Sequence, residues 1–317
     1  MAGYFIMSLD FEAMWGAIGG IDNSTIEAFK HRVSKNQIVI PALLDLFRKY
    51  HLKATWGIVG GMFYKDSEDF NSHLTCDIVY PDWNLSIKQF VKEISGDVFH
   101  EFYSFKNLVL KVIEDGHQEI GSHTFSHYYS NEKGASPELL QQELELSSNL
   151  FKQFAIDVRT IIFPRNQFKD SDIDALINKG YTIVRGQPSN YKLTKCTKLN
   201  KVLNFVDCYI PLFNRNYSLE EIKYKGIYNV KATMFYRTWF SKLSLFEKLK
   251  IWRIKLAMTD AAKNNKCFHL WFHPHNMATN IDFNFYALES ILSHYIFLKN
   301  KYGFKNKTMG EVADLLI

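Results

Sequence analysis

The sequence predicts an α/β protein whose parallel sheet is wrapped by crossover helices. Short apolar runs recur along the chain, most of them separated by segments with helical spacing. Hydrophobic residues make up 47% of the chain and charged residues 22%, which is enough core for a folded protein and excludes a disordered one. The length of 317 residues is long for an ordinary domain and normal for a single barrel, so one domain spanning 1–317 is expected.

The apolar runs read as buried strands over 4–9, 54–59, 118–120, 158–163, 181–184 and 267–272. Between them, residues 38–50 place Ile38, Leu43, Leu44 and Phe47 at helical spacing. Residues 139–154 do the same with Leu139, Leu140, Leu144, Leu150 and Phe151, and Ser136-Pro137 supplies an N-cap and first turn. Residues 62–105 are long, aromatic and rich in Asp and Ser, and are expected to be an insertion over one face. Residues 192–233 read as irregular.

Charge excludes some function classes. A net charge of +5, from 38 basic and 33 acidic residues, is too mild for a nucleic-acid-binding surface. The stretch MAGYFIMSLDFEAMWG has no basic segment before an apolar core, and the four cysteines form no CxxC pair, so a cytoplasmic location is expected. No uncharged apolar run reaches the length of a membrane span.

Four strand ends carry chemistry. In EIGSHTFSHYY, His123 and His127 stand four apart, and on a helical turn that spacing puts both rings on one side, a common way to hold a transition metal. Two capping or core histidines would read the same, so the metal reading needs a third ligand. SLDFE offers it at the end of the first strand. Asp10 and Glu12 share one strand face, and two inward acids are costly unless they bind or catalyse something. CFHLWFHPHNM puts His269, His273 and His275 at another strand end, where a histidine suits proton donation near neutral pH. In IIFPRNQF, Arg165 is placed to orient a carboxylate, and Asn166 and Gln167 to contact substrate hydroxyls. Barrel and open α/β folds gather strand C-termini at one mouth, so residues spread from 10 to 273 can meet.

These segments resemble the polysaccharide deacetylase family, the family 4 carbohydrate esterases. IPALLDLFRKYHLKATWGIVGG is similar to its helix and second strand, and EDGHQEIGSHTFSH to its G-H-E-I-G-S-H-x-x-S-H segment. SLDFE stands where the family has its paired acids, and LWFH matches its final L-x-x-H at His273. The resemblance implies a distorted (β/α)7-type barrel and one divalent metal ion. It implies Asp10 as general base, Glu12, His123 and His127 as metal ligands, His273 as general acid and Arg165 as the group orienting Asp10. The sequence departs from the family where Glu12 replaces Asp and where Pro164 precedes Arg165 instead of following an Arg. Arg185 and Asp207 both stay open as stand-ins for a fourth motif.

The expected activity is metal-dependent hydrolytic N-deacetylation of an acetamido sugar, a glycan or a nucleotide- or lipid-linked glycan precursor of a cell surface. Zinc is the expected ion, and cobalt, nickel, iron and manganese suit the same mixed donors. A small-molecule amidohydrolase on the same barrel and an inactive glycan-binding relative are the alternatives. Tyr80–Trp83 and Tyr128-Tyr129 are candidate sugar-stacking aromatics, unless they are core. Residues 239–263, basic and aromatic-apolar, read either as a peripheral membrane contact or as an outer barrel helix with a solvated basic face.

Overall fold

The chain is described by a computed structural model, which covers residues 2–18, 23–75, 80–82, 85–87, 91, 94–187, 194 and 197–317. Cys76, Trp83 and Cys196 lie outside the described residues.

The strands are β1 (Tyr4–Phe11), β2 (Thr55–Ile58), β3 (Glu119–Ser122), β4 (Thr160–Ile162), β5 (Ile183–Arg185), β6 (Lys223–Tyr224), β7 (Ile227–Asn229), β8 (Met234–Phe235), β9 (Cys267–Phe272) and β10 (Lys305–Asn306). They form one curled sheet in the order β6-β7-β5-β4-β3-β2-β1-β9-β8, with β10 against β1. Every pairing is parallel except β6 with β7. β1 is central because YFIMSLDF is buried along nearly its whole length and pairs on both sides, as a parallel strand covered on two faces must.

The helices are α1 (Asn23–Ser34), α2 (Asn36–Lys49), α3 (Ser67–His73), α4 (Gly96–Phe102), α5 (Lys106–Glu114), α6 (Pro137–Lys152), α7 (Ile173–Asn178), α8 (Thr197–Asp207), α9 (Glu247–Lys263), α10 (Ile281–Tyr302) and α11 (Met309–Ala313). α6 starts as its sequence dictates: Ser136 Oγ accepts from the Leu139 N–H (3.3 Å) and Pro137 opens the first turn.

The sheet stays open between β7 and β8. One connecting segment spans that gap, with the Val230 and Ala232 N–H groups donating to Val184 and Gly186 carbonyls and the Thr233 N–H to the His269 carbonyl. This architecture is the expected distorted barrel, and the six strands read from the sequence are present, β9 with the expected ends and the other five with one or both ends shifted.

Two expectations need correction. Residues 192–233 are not simply irregular, because they carry α8 and the β6-β7 hairpin. Strands of two or three residues are too short to show a period of two. Residues 62–105 are not a cover laid over one face. Phe70, Phe99 and Tyr103 surround the buried Trp15 ring with centroids 4.8, 6.0 and 5.6 Å away, so the β2–β3 crossover completes the core beside β1.

The inward side chains change character along the barrel axis. Ile6, Ile162, Ile183 and Cys267 close the lower end as an apolar plug with Val230 and Met309. Two residues further on, β1 presents Ser8, β5 presents Arg185 and β9 presents His269, all fully buried. The next positions toward the mouth are Asp10 and Trp271.

Candidate metal centre

Glu12 is the point of convergence. Its Oε2 lies 3.3 Å from His123 Nε2 and 3.1 Å from His127 Nε2, and its Oε1 lies 3.3 Å from His273 Nε2. Gly16 makes room for it: a Cβ there would fall 2.1 Å from Glu12 Oε1.

His123 and His127 do not sit on a helical turn. They lie in the loop after β3, and Thr124 and His127 both have positive φ (64° and 62°). The fully buried Glu143 of α6 holds the loop, accepting from the Phe125 and Ser126 N–H groups (2.9 Å each) and from Ser126 Oγ (2.6 Å). Thr124 Oγ1 accepts from the Tyr128 N–H at 2.7 Å. Glu143 is a site-forming residue that motif reading passes over. Its signal is a carboxylate inside the apolar stripe Leu140, Glu143, Leu144, Ser147, Leu150, Phe151.

The donor set fits a divalent ion. The His123 Nδ1–H donates to the Ile162 carbonyl (2.7 Å), which turns Nε2 toward the Glu12 carboxylate, where a ligand atom is needed. A proton or a metal cation between the two satisfies both. Ligands at about 2.1 Å from one ion stand roughly 3.0–3.4 Å from each other, the spacing that Glu12 has to His123 and to His127. Burial pushes the Glu12 carboxyl up, but His273 and the bonds from His123 and His127 outweigh it and hold it well below the usual carboxylate range. Burial also lowers His127, keeping the imidazole neutral as a ligand must be.

Asp10 is held by a different cation from the one expected. Arg185, fully buried, donates from Nη2 to Asp10 Oδ2 (2.6 Å), from Nη1 to Ser8 Oγ (2.8 Å) and from Nε to Asn166 Oδ1 (2.7 Å), and its guanidinium lies 4.5 Å from the Trp271 ring centre. Arg165 does not reach Asp10. Its φ of 59° turns the side chain outward, where it pairs with Glu132 (2.7 Å) and covers the Tyr129 ring. Asn166 is buried and engaged with Arg185, so it supports the site from behind instead of offering itself to a hydroxyl, while Gln167 is half-buried on the segment beyond. Asp207 pairs with Arg253 (3.1 Å) and Arg215 (3.3 Å), leaving Arg185 as the residue at the site. Burial raises the Asp10 carboxyl, and Arg185 first, then His123 and His273, bring it below its ordinary value. Its Oδ1 is buried with no hydrogen-bond partner.

The three histidines of the β9 segment divide by depth. His269 accepts from Ser8 Oγ (2.7 Å) and is pushed down to about 3 by burial, so it is a neutral support for the Ser8–Arg185 layer. His273 is partly exposed at the mouth, and Asn276 Nδ2 donates to its Nδ1 (3.2 Å) while Asn276 Oδ1 accepts from Arg32 (3.3 Å). His275 stacks on the His273 ring at 5.4 Å and is pushed down to about 3 by burial. Phe235 and Trp271 flank His273 with centroids 5.7 and 5.6 Å away, the half-buried aromatics nearest the chemistry. The aromatics singled out from the sequence are core instead: Tyr80, Tyr128 and Tyr129 are buried, and Tyr80 Oη accepts from the Tyr129 N–H (3.0 Å).

A family model described as polysaccharide deacetylase matches residues 34–184. Over those residues the chain is similar to the polysaccharide deacetylases. The matched segment contains His123, His127, Asn166 and the start of β5, and the barrel brings Asp10, Glu12, Arg185 and His273 to it from outside. A Mycobacterium smegmatis protein assigned to the polysaccharide deacetylases aligns over 92% of this chain and 82% of its own, at 10% identity and TM-score 0.54. A Bacillus anthracis pseudoenzyme of carbohydrate esterase family 4 aligns over 99% and 66% (12% identity, TM-score 0.46). A family 4 acetyl xylan esterase from Clostridium thermocellum, in complex with a cobalt ion, aligns over 98% and 91% (13% identity, TM-score 0.41). Identities this low speak to the fold alone. No curated protein matches the sequence.

Two tests follow from the geometry. Gly16→Ala is expected to displace the Glu12 carboxylate and weaken divalent-metal affinity about tenfold or more while leaving the thermal midpoint nearly unchanged, read by metal titration beside calorimetry. Glu143→Ala strips two backbone N–H groups and a hydroxyl of their acceptor, and urea denaturation is expected to show a loss of about 3 kcal/mol.

Proposed function

We propose that this chain is a metal-dependent hydrolase that removes the acetyl group from the nitrogen of an acetamido sugar. The observation that carries the reading is a three-ligand cluster, Glu12, His123 and His127, with a bare Asp10 oxygen and the partly exposed His273 on its open side. A divalent ion bound there supplies a polarised carbonyl and a water of lowered pKa.

The chain's own groups do the rest. Asp10 stays ionised because Arg185 compensates its burial, and its free Oδ1 takes the proton of the attacking water. Arg185 cannot rotate away, since Ser8, Asn166 and the Trp271 ring fix its other edges, so Asp10 Oδ2 is spent on orientation and Oδ1 on chemistry. His273 Nε2, 3.8 Å from Asp10 Oδ2 on the other side of the mouth, gives a proton to the leaving nitrogen. Phe235 and Trp271 present ring faces beside it for the sugar.

The substrate that fits the expected cytoplasmic location is a precursor carried on a nucleotide or a lipid on its way to a cell-surface polysaccharide. Zinc is the first ion to load. In the whole chain, taken as one catalytic unit, Glu12, His123 and His127 hold the ion, Asp10 is the base, Arg185 orients it and His273 is the acid.

His123→Ala/His127→Ala is expected to abolish stoichiometric metal binding measured by elemental analysis, whereas Asp10→Asn keeps the metal and loses turnover by about a thousandfold. Equal activity in Asp10→Asn would remove the base assignment. In Arg185→Met the Asp10 carboxyl keeps the burial that raises its pKa and loses the cation that lowers it. The acid limb of kcat/KM is expected to move to higher pH, and an unmoved limb would show that Arg185 serves only packing.

A further inference from the structure

The outer helix α9 is built inside out. Its buried face carries Glu247, Lys250 and Arg253 beside Ile251, Ile254 and Met258. Lys250 pairs with Glu247 (2.5 Å) and donates to the Thr238 carbonyl (2.8 Å), and Arg253 bonds Asp207 and the Phe213 carbonyl. The solvent face carries the hydrophobes. Leu249, Trp252 and Leu256 recur at helical spacing on it, Phe240, Leu245 and Phe246 extend the stripe along the turn that leads into α9, and Leu245 is 91% and Trp252 50% exposed. The solvent face is therefore apolar with lysines at its edges instead of the purely basic face expected of an outer barrel helix. Burying ionic groups inward while leaving a tryptophan and three leucines in water is the reverse of what stability alone favours.

The stripe has a definite position. α9 follows β8 and leads into β9, so its N-terminal end lies on the side where the parallel strands end, the side of the metal centre. Phe235, at the end of β8, lies 5.7 Å from His273, and the chain reaches the exposed Phe240 five residues later. At the other end of the stripe, Leu256 is a wall of a cavity of about 280 Å³ shared with the exposed Leu212, and Ile210 is exposed beside it.

Its charge names the partner. Between 239 and 257 the exposed charges are Lys242 and Lys248, with Lys255 half-exposed, and the single acid, Glu247, is buried. Leucine, phenylalanine and tryptophan flanked by exposed lysines match an anionic bilayer surface, where the rings enter the headgroup boundary and the lysines meet the phosphates. No helix among the described residues is long and apolar enough to cross a membrane, so the contact is one of lying on the surface.

We propose that Phe240, Leu245, Phe246, Leu249, Trp252 and Leu256, with Lys242 and Lys248, dock the barrel on an anionic lipid bilayer beside the mouth of its metal centre. The docking stands apart from the chemistry. The substrate it selects rests on the deacetylase reading: an acetamido sugar carried on a membrane lipid, in preference to one carried on a soluble nucleotide.

The experiment is co-sedimentation of the metal-loaded protein with vesicles of phosphatidylcholine, alone or mixed with phosphatidylglycerol. Binding is expected to the mixed vesicles, with a blue shift of tryptophan emission. Leu249→Asp/Trp252→Asp is expected to weaken it about tenfold or more, and Lys242→Glu/Lys248→Glu to remove the preference for the anionic lipid, with both variants keeping metal content and the thermal midpoint. Failure to sediment with either vesicle overturns the proposal. So does a dimer in light scattering that Leu249→Asp/Trp252→Asp dissociates without any vesicle binding, which would assign the stripe to a second copy of the chain. Vesicle binding without amine release from any acetamido sugar would leave the docking standing and sink the deacetylase reading instead.

Discussion

Two carboxylates at the buried end of one strand set the terms for the rest of the molecule. Asp10 and Glu12 are both almost shut off from water, and unpaired carboxylates cannot persist there in charged form. Their compensation comes from three elements: β5 gives Arg185, the loop after β3 gives His123 and His127, and the end of β9 gives His273, while the proposed ion between Glu12 and the two loop histidines would complete the balance. The barrel is what brings these elements together, because its parallel strands all end at one mouth.

The two acids are compensated in different ways, and the difference divides their labour. Asp10 has a fixed organic cation that is also held by Ser8 and Asn166, so it is locked, and its other oxygen is buried without a hydrogen-bond partner. Glu12 has only neutral-capable imidazoles, which compensate it fully when a metal or a proton joins them. The loops that carry these groups are bent out of ordinary backbone regions. Ala13, Thr124, His127, Arg165 and Asn166 all have positive φ, each at a cost of order 1–3 kcal/mol. Such bends persist where surrounding bonds over-determine them, and the three bonds to Glu143 do this for the histidine loop.

Much of this was legible in the sequence, and the failures have physical reasons. The strands read correctly were continuous apolar runs ended by polar residues, and β6, β7, β8 and β10 were missed because they are two or three residues long and lie outside any such run. Asp10, Glu12, His123, His127 and His273 could be picked out since each stands alone against an apolar background. The choice between Arg165 and Arg185 turned on backbone geometry: one follows a proline in a left-handed bend, the other ends a strand and so inherits the inward face of Ile183. The histidine pair was seen but placed on the wrong scaffold, because i,i+4 spacing is equally compatible with a loop whose turn is held by a glutamate from another element. Tyr80, Tyr128 and Tyr129 looked like sugar platforms only while their burial was unknown.

The same reasoning explains why α9 could not be read from its composition. A basic, aromatic segment is compatible with lysines outward and rings inward, the ordinary outer helix of a barrel. Here the inward positions fall to Glu247, Lys250 and Arg253, because Asp207 and the Thr238 and Phe213 carbonyls wait for them across the interface. Once these polar contacts claim one face, a helix repeating every 3.6 residues must turn Leu249, Trp252 and Leu256 the other way. The buried ion pairs of α9 and its exposed hydrophobic stripe are therefore one feature, and the register that satisfies the first creates the second beside the mouth of the metal centre.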